Sequence, residues 1–87
     1  MMFEAKVIIN NETGLHARPA AELANLSGKF QSDIRMVTDT AEILPKSIIS
    51  ILTAGVFKGT EVKIIINGED EEEAGKALVN LLNNLPD

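Results

Sequence analysis

The sequence predicts a two-layer α+β domain, with strands pairing in one sheet and helices covering one of its faces. Three observations carry that expectation. Residues 3–9 and 61–67 alternate or run apolar as strands do, residues 17–27 and 70–85 repeat apolar positions at helical spacing, and short turn-rich segments separate them. The elements follow in the order strand, helix, strand, strand, helix, strand, helix.

In the first strand Phe3, Ala5, Val7 and Ile9 share one face, opposite Glu4, Lys6 and Ile8. Asn10-Asn11-Glu12-Thr13-Gly14 then breaks the alternation with turn residues. A helix beginning near Ala17 places Ala20, Leu23, Ala24 and Ser27 on one side, and Gly28 is a natural stop. Ile34, Met36 and Thr38 alternate as a second strand, and a short third strand is expected around Glu42–Leu44. The run "SIISILTAG" admits two readings, because β-branched isoleucines favour a strand. Ser47 as an N-cap and Gly55 as an exit signal favour a short helix instead. "EVKIIIN" is a clear strand, closed by Asn67-Gly68. In the last segment Asp70 and Glu73 fit a capping box, and the acidic stretch Glu69–Glu73 suits the positive end of a helix. Ala74, Leu78, Leu81, Leu82 and Leu85 form its apolar stripe, ended by Pro86.

At 87 residues, 1–87 form one domain with no room for a second core. The interior must be built from Ile, Leu, Val and Ala, since aromatics are limited to three Phe. There is no cysteine and only one histidine, which excludes disulfides, thiolate chemistry and multi-histidine metal sites. Thirteen acidic against eight basic residues, without aromatic stacking platforms, argue against a nucleic-acid partner. They suit contact with basic patches on other proteins. No apolar run is long enough to cross a membrane, and a cytoplasmic protein is expected. Gly-rich nucleotide loops and a serine elbow are also missing, so a stand-alone catalytic domain ranks last among the readings.

The rare chemistry gathers in "TGLHARPAAEL". His16 stands at the start of the first helix, with Gly14 before it and Pro19 after it. The N–H groups of Ala17 and Arg18 have no intrahelical acceptor there, and with the macrodipole they make a small anion site. Arg18 can donate two parallel hydrogen bonds to a phosphate, and histidine is a competent covalent nucleophile. Helix capping by His16 beside a solvated Arg18 is the structural alternative, and the residues leave the two about even. Ser47 is first an N-cap. As a phosphorylation site it would add roughly −2 of charge at that helix start. Ile48, Ile49, Leu52 and Phe57 surround a helix too short to bury them all, so core burial and an exposed docking patch remain equal alternatives.

"TGLHARPAAEL", followed by "PKSIISILTAGVFKGTEV" and "GEDEEEAGKAL", resembles the HPr family of histidine-containing phosphocarriers of the bacterial phosphoenolpyruvate:sugar phosphotransferase system. The resemblance spans essentially the whole chain. It implies a βαββαβα open-faced β-sandwich, in which three helices cover one face of a four-stranded antiparallel sheet. It further implies that His16 accepts a phosphoryl group on Nδ1 from phospho-enzyme I and passes it to IIA domains of sugar permeases, with Arg18 stabilising the phosphate. Ser47 matches the serine modified by HPr kinase/phosphorylase, after which the protein acts with a catabolite repressor. Ile48, Ile49 and Leu52 match the docking patch. A carrier of this kind is not an enzyme on its own, takes no cofactor and no metal, and is expected to be a monomer. Leu44-Pro45, Ile49 and Ser50 depart from the common family pattern. Two alternatives stay open: a regulatory binding module of carbon catabolite repression switched at Ser47, and a nitrogen-system phosphocarrier paralogue, which shares the histidine motif.

Overall fold

The computed structural model describes residues 2–85, and the end of the last helical segment at Pro86 lies outside them. Four strands, β1 (Met2–Ile8), β2 (Asp33–Val37), β3 (Glu42–Ile43) and β4 (Glu61–Asn67), form one antiparallel sheet in the order β1-β4-β2-β3. Three helices connect and cover them: α1 (Ala17–Ser27), α2 (Ile48–Thr53) and α3 (Glu71–Asn83). The expected open-faced βαββαβα sandwich is the observed fold.

Strand alternation decides which face is covered. Val7, Ile34, Met36, Ile43, Val62, Ile64 and Ile66 all point to the helices and are buried. Ala20 and Leu23 of α1, Ile51 of α2, and Ala74, Leu78 and Leu82 of α3 close the core from the other side. The outer face carries Glu4, Lys6, Arg35, Glu42, Glu61 and Lys63, linked across strands by ion pairs such as Lys6–Glu61 and Glu4–Lys63. These pairs are exposed and each contributes little, about 0.5 kcal/mol. Their effect is to keep a bare sheet face soluble.

α2 is a helix despite its isoleucines. The Ser47 hydroxyl accepts from the Ser50 N–H, Thr53 Oγ1 bonds back to the Ile49 carbonyl, and Ile51 fills the core. β3 is shorter than expected, ending at Ile43 with Leu44 exposed. The last helix corrects a second expectation. Asp70 occupies the N-cap position of α3 but makes no side-chain cap. Its carboxylate turns away to accept from the N–H groups of Gln31 and Ser32, both at 2.9 Å, and from the Ser32 hydroxyl. The capping box therefore does not form, and the same residue ties the α1–β2 loop to the β4–α3 turn.

Candidate functional site

The segment leading to His16 is held from below. Asn11 is only 6% exposed, and its side-chain Nδ2 donates to the Gly14 carbonyl at 2.8 Å. Gly14 N–H returns a bond to the Asn11 carbonyl, and Leu15 N–H donates to the Val56 carbonyl at 3.1 Å. Gly14 adopts φ 62, and a Cβ there would collide with the Val56 carbonyl oxygen and Phe57 Cα. Glycine is needed twice over, for conformation and for space. Its position is pinned against residues 56–57.

His16 follows as the N-cap of α1, in extended conformation, with its carbonyl accepting from Ala20 N–H at 2.9 Å. Its imidazole makes no cap bond and is exposed. Ala17, Arg18 and Pro19 form the first turn, where the missing proline N–H costs nothing. The amide groups of Ala17 and Arg18 open outwards beside the imidazole. That turn contains no acidic residue, and the exposed Arg18 guanidinium has no ion pair or hydrogen bond among the described residues. Among the described residues, two uncommitted side chains and two uncommitted amides thus lie at one helix end. An oxyanion carrying two negative charges would complete them.

α2 packs beside α1. Ser47 is half-buried as its N-cap, and the neighbouring Lys46 ammonium is engaged by the Phe30 and Ser32 carbonyls at 3.0 and 2.9 Å. Ile48, Ile49 and Leu52 are exposed, which settles their open choice in favour of the surface. Phe57 joins them as the most exposed large side chain of this region, and Asn11 as a buried polar one. The exposure of Phe57 resolves its open choice as it does for the α2 residues, whereas the burial of Asn11 was not visible in local pattern, where it sits among turn residues. A cavity of about 480 Å³ lies nearby, lined by Thr38, Asp39, Phe57 and Glu61, but His16 and Arg18 do not face it. The histidine stands on an open knuckle, suited to a macromolecular partner. Among the described residues no cluster of His, Asp or Glu could hold a metal ion, and no helix is long and apolar enough to cross a membrane.

Comparison with known proteins identifies the family. The family model described as the PTS HPr component phosphorylation site matches residues 3–84. The chain belongs to the HPr family. Its members are phosphocarriers of the phosphotransferase system, and relatives agree across nearly the full length. The phosphocarrier protein HPr of Xylella fastidiosa strain 9a5c is 39% identical over 83 residues, covering 95% of this chain and 93% of its own. The crystal structure of HPr-C-His from Thermoanaerobacter tengcongensis is 46% identical, with a TM-score of 0.88 over 93% of this chain and 91% of that one. The catabolite repression protein Crh of Bacillus subtilis, described with a swapped domain, is 38% identical with a TM-score of 0.75 over 91% of each chain.

Proposed function

We propose that this protein is a phosphocarrier that takes a phosphoryl group on His16 from phospho-enzyme I and delivers it to IIA domains of sugar permeases. The observation that carries this reading is the pair of uncommitted groups, imidazole and guanidinium, at a helix start without acidic residues. The Nδ1 lone pair attacks phosphorus, the new N–P bond forms as the donor's bond to phosphorus breaks, and the donor residue departs with the electron pair. The Ala17 and Arg18 amides and the Arg18 fork meet the phosphoryl oxygens, stabilising charge without a metal. Delivery reverses the same steps towards an acceptor. Chemistry of this kind requires a partner for each half, so the protein is a carrier acting as one 87-residue unit rather than an enzyme, and its place is the cytoplasm.

Ser47 is proposed as a regulatory site for HPr kinase/phosphorylase, leading to a catabolite repressor. The half-exposed hydroxyl already faces the helix start, and a phosphate there would stabilise α2 rather than break it. Similarity to Crh supports a catabolite-repression role beside the carrier role. The intact and uncommitted His16–Arg18 pair favours the carrier over a purely regulatory module.

The test is phosphotransfer from phosphoenolpyruvate with enzyme I. An acid-labile phosphate is expected on the wild-type protein and none on His16→Ala. Label that survives His16→Ala, or no label on wild type, overturns the reading.

A further inference from the structure

The peptide unit between Gly14 and Leu15 is bonded at both ends. Its carbonyl accepts from Asn11 Nδ2 at 2.8 Å, and its N–H, on Leu15, donates to the Val56 carbonyl at 3.1 Å. A planar unit held on both sides cannot rotate without breaking one of the two bonds. Gly14 N–H, donating to the Asn11 carbonyl at 3.3 Å, closes the turn beneath it. The next residue is His16, whose imidazole makes no cap bond of its own. The direction in which His16 leaves the turn is therefore set by that plane.

Asn11 is held there at a cost. It is 6% exposed, and its Oδ1 is buried without a hydrogen-bond partner among the described residues. The opposite amide orientation would set two oxygens 2.8 Å apart. A buried acceptor left unpaired is destabilising, and native folds keep few of them. Such departures from local consistency concentrate where function needs them. Buried as it is, Asn11 offers no surface to a partner, so any functional role is exercised through the backbone.

From this we infer that Asn11 is a positioning residue for phosphotransfer: its amide fixes the Gly14–Leu15 peptide plane, and through it the line along which the His16 imidazole meets the incoming phosphorus. The inference rests on the phosphocarrier reading and adds a residue to it. Val56 alone holds the plane from one side only. Without the Asn11 donor the Gly14 carbonyl is free to turn, and His16 samples directions besides the productive one. In-line attack tolerates little misplacement, since about 1 Å can cost on the order of a hundredfold in rate. The surface that a partner covers is unchanged, so binding of the donor protein is not affected.

The test is steady-state transfer from phospho-enzyme I to the full-length protein, with Asn11→Ala and Asn11→Ser beside wild type, well below the Tm of each. We expect kcat to fall roughly tenfold for Asn11→Ala with KM within about twofold, the pattern of an interaction felt only in the transition state. Asn11→Ser keeps a donor on a shorter side chain and should recover part of the loss. Tm should change by less than about 5 °C. A second arm replaces the donor protein with phosphoramidate. There the Nδ1 lone pair attacks phosphorus, the P–N bond of the reagent breaks, and ammonia leaves with the bonding pair. A small donor aligns with whatever direction the ring takes, so this labelling of Asn11→Ala should stay within about twofold of wild type. An unchanged kcat for Asn11→Ala, or an equal slowing with phosphoramidate, overturns the assignment while the carrier reading stands. Failure of both variants to fold makes Asn11 structural and overturns it as well. Absence of transfer from phospho-enzyme I to wild type overturns the carrier reading itself, and the role of Asn11 with it.

Discussion

The starts of α1 and α3 are built from the same backbone physics and finished in opposite ways. Each presents unpaired N–H groups and the positive end of a helix macrodipole. At α3 the chain supplies its own anions, Glu71, Glu72 and Glu73, and Glu71 also accepts from Gly68 N–H. Asp70, at the same end, is saturated by Ser32 and Gln31. At α1 there is no acidic residue in the first turn, and His16 and Arg18 stay uncommitted. One helix start is closed by structure, the other is left for something that arrives. In a small fold, the polar groups that remain unsatisfied at the surface are those available for chemistry.

The contrast can be broken in three ways. The largest effect is expected at the open end. Arg18→Ala should slow phosphotransfer about a hundredfold, the usual consequence of removing one preorganised donor to a developing anion, while Tm stays within a degree or two. A matching fall in stability would mean that Arg18 is structural after all. The next effect lies at the closed end. The Ser32 hydroxyl, then the Gln31 amide, hold the Asp70 carboxyl below its ordinary value. A folded-state value lowered in this way adds stability that is fully present above the unfolded value, near pH 4, and is lost as pH falls through the lower folded value. Asp70→Asn should thus lower Tm by several degrees at pH 7, with the gap to wild type closing below about pH 4. Parallel curves across the whole acid range would remove Asp70 from the account. Transfer to His16 should be unaffected. The smallest effect comes from Glu71, Glu72 and Glu73 changed together to Gln, which should cost about 1 kcal/mol at low salt and less as salt rises. Chemical unfolding at two ionic strengths reads it, and a salt-independent loss would point to packing instead.

How far the sequence speaks for itself varies with the range of the interaction. β4 was legible to the residue, because "EVKIIIN" is bounded by turn signals on both sides. α1 was nearly so, with His16 at its start. α2 was ambiguous, since local propensity opposes the helix and only the Ser47 cap and the burial of Ile51 decide it. The capping box at Asp70 was misread because its true partners lie 38 and 39 residues away in sequence, and local pattern cannot see a bond of that reach. The clamp on Gly14 was hidden for the same reason: it depends on Gly14 and Leu15 meeting Val56 and Phe57. At the site, residue types and spacing showed which groups could act. Contacts made across the fold show why they are held still.

Where the acidic residues fall along β4 changes the meaning of the molecule's net charge. The strand begins at Glu61, beside the loop that bears His16, and ends at Asn67, just before the acidic stretch Glu69–Glu73. Those five carboxylates account for the whole formal charge of −5, since the remaining eight acids match the eight lysines and arginines. The seven residues of β4 separate the two ends by about 20 Å, some two screening lengths at physiological salt. A doubly charged phosphoryl group arriving at His16 therefore meets a locally balanced surface, while a distant partner feels a molecule with a negative tail. Such a particle drifts into a positively charged neighbourhood tail first and must tumble before it can react. Raising ionic strength should relieve that misorientation rather than weaken the encounter.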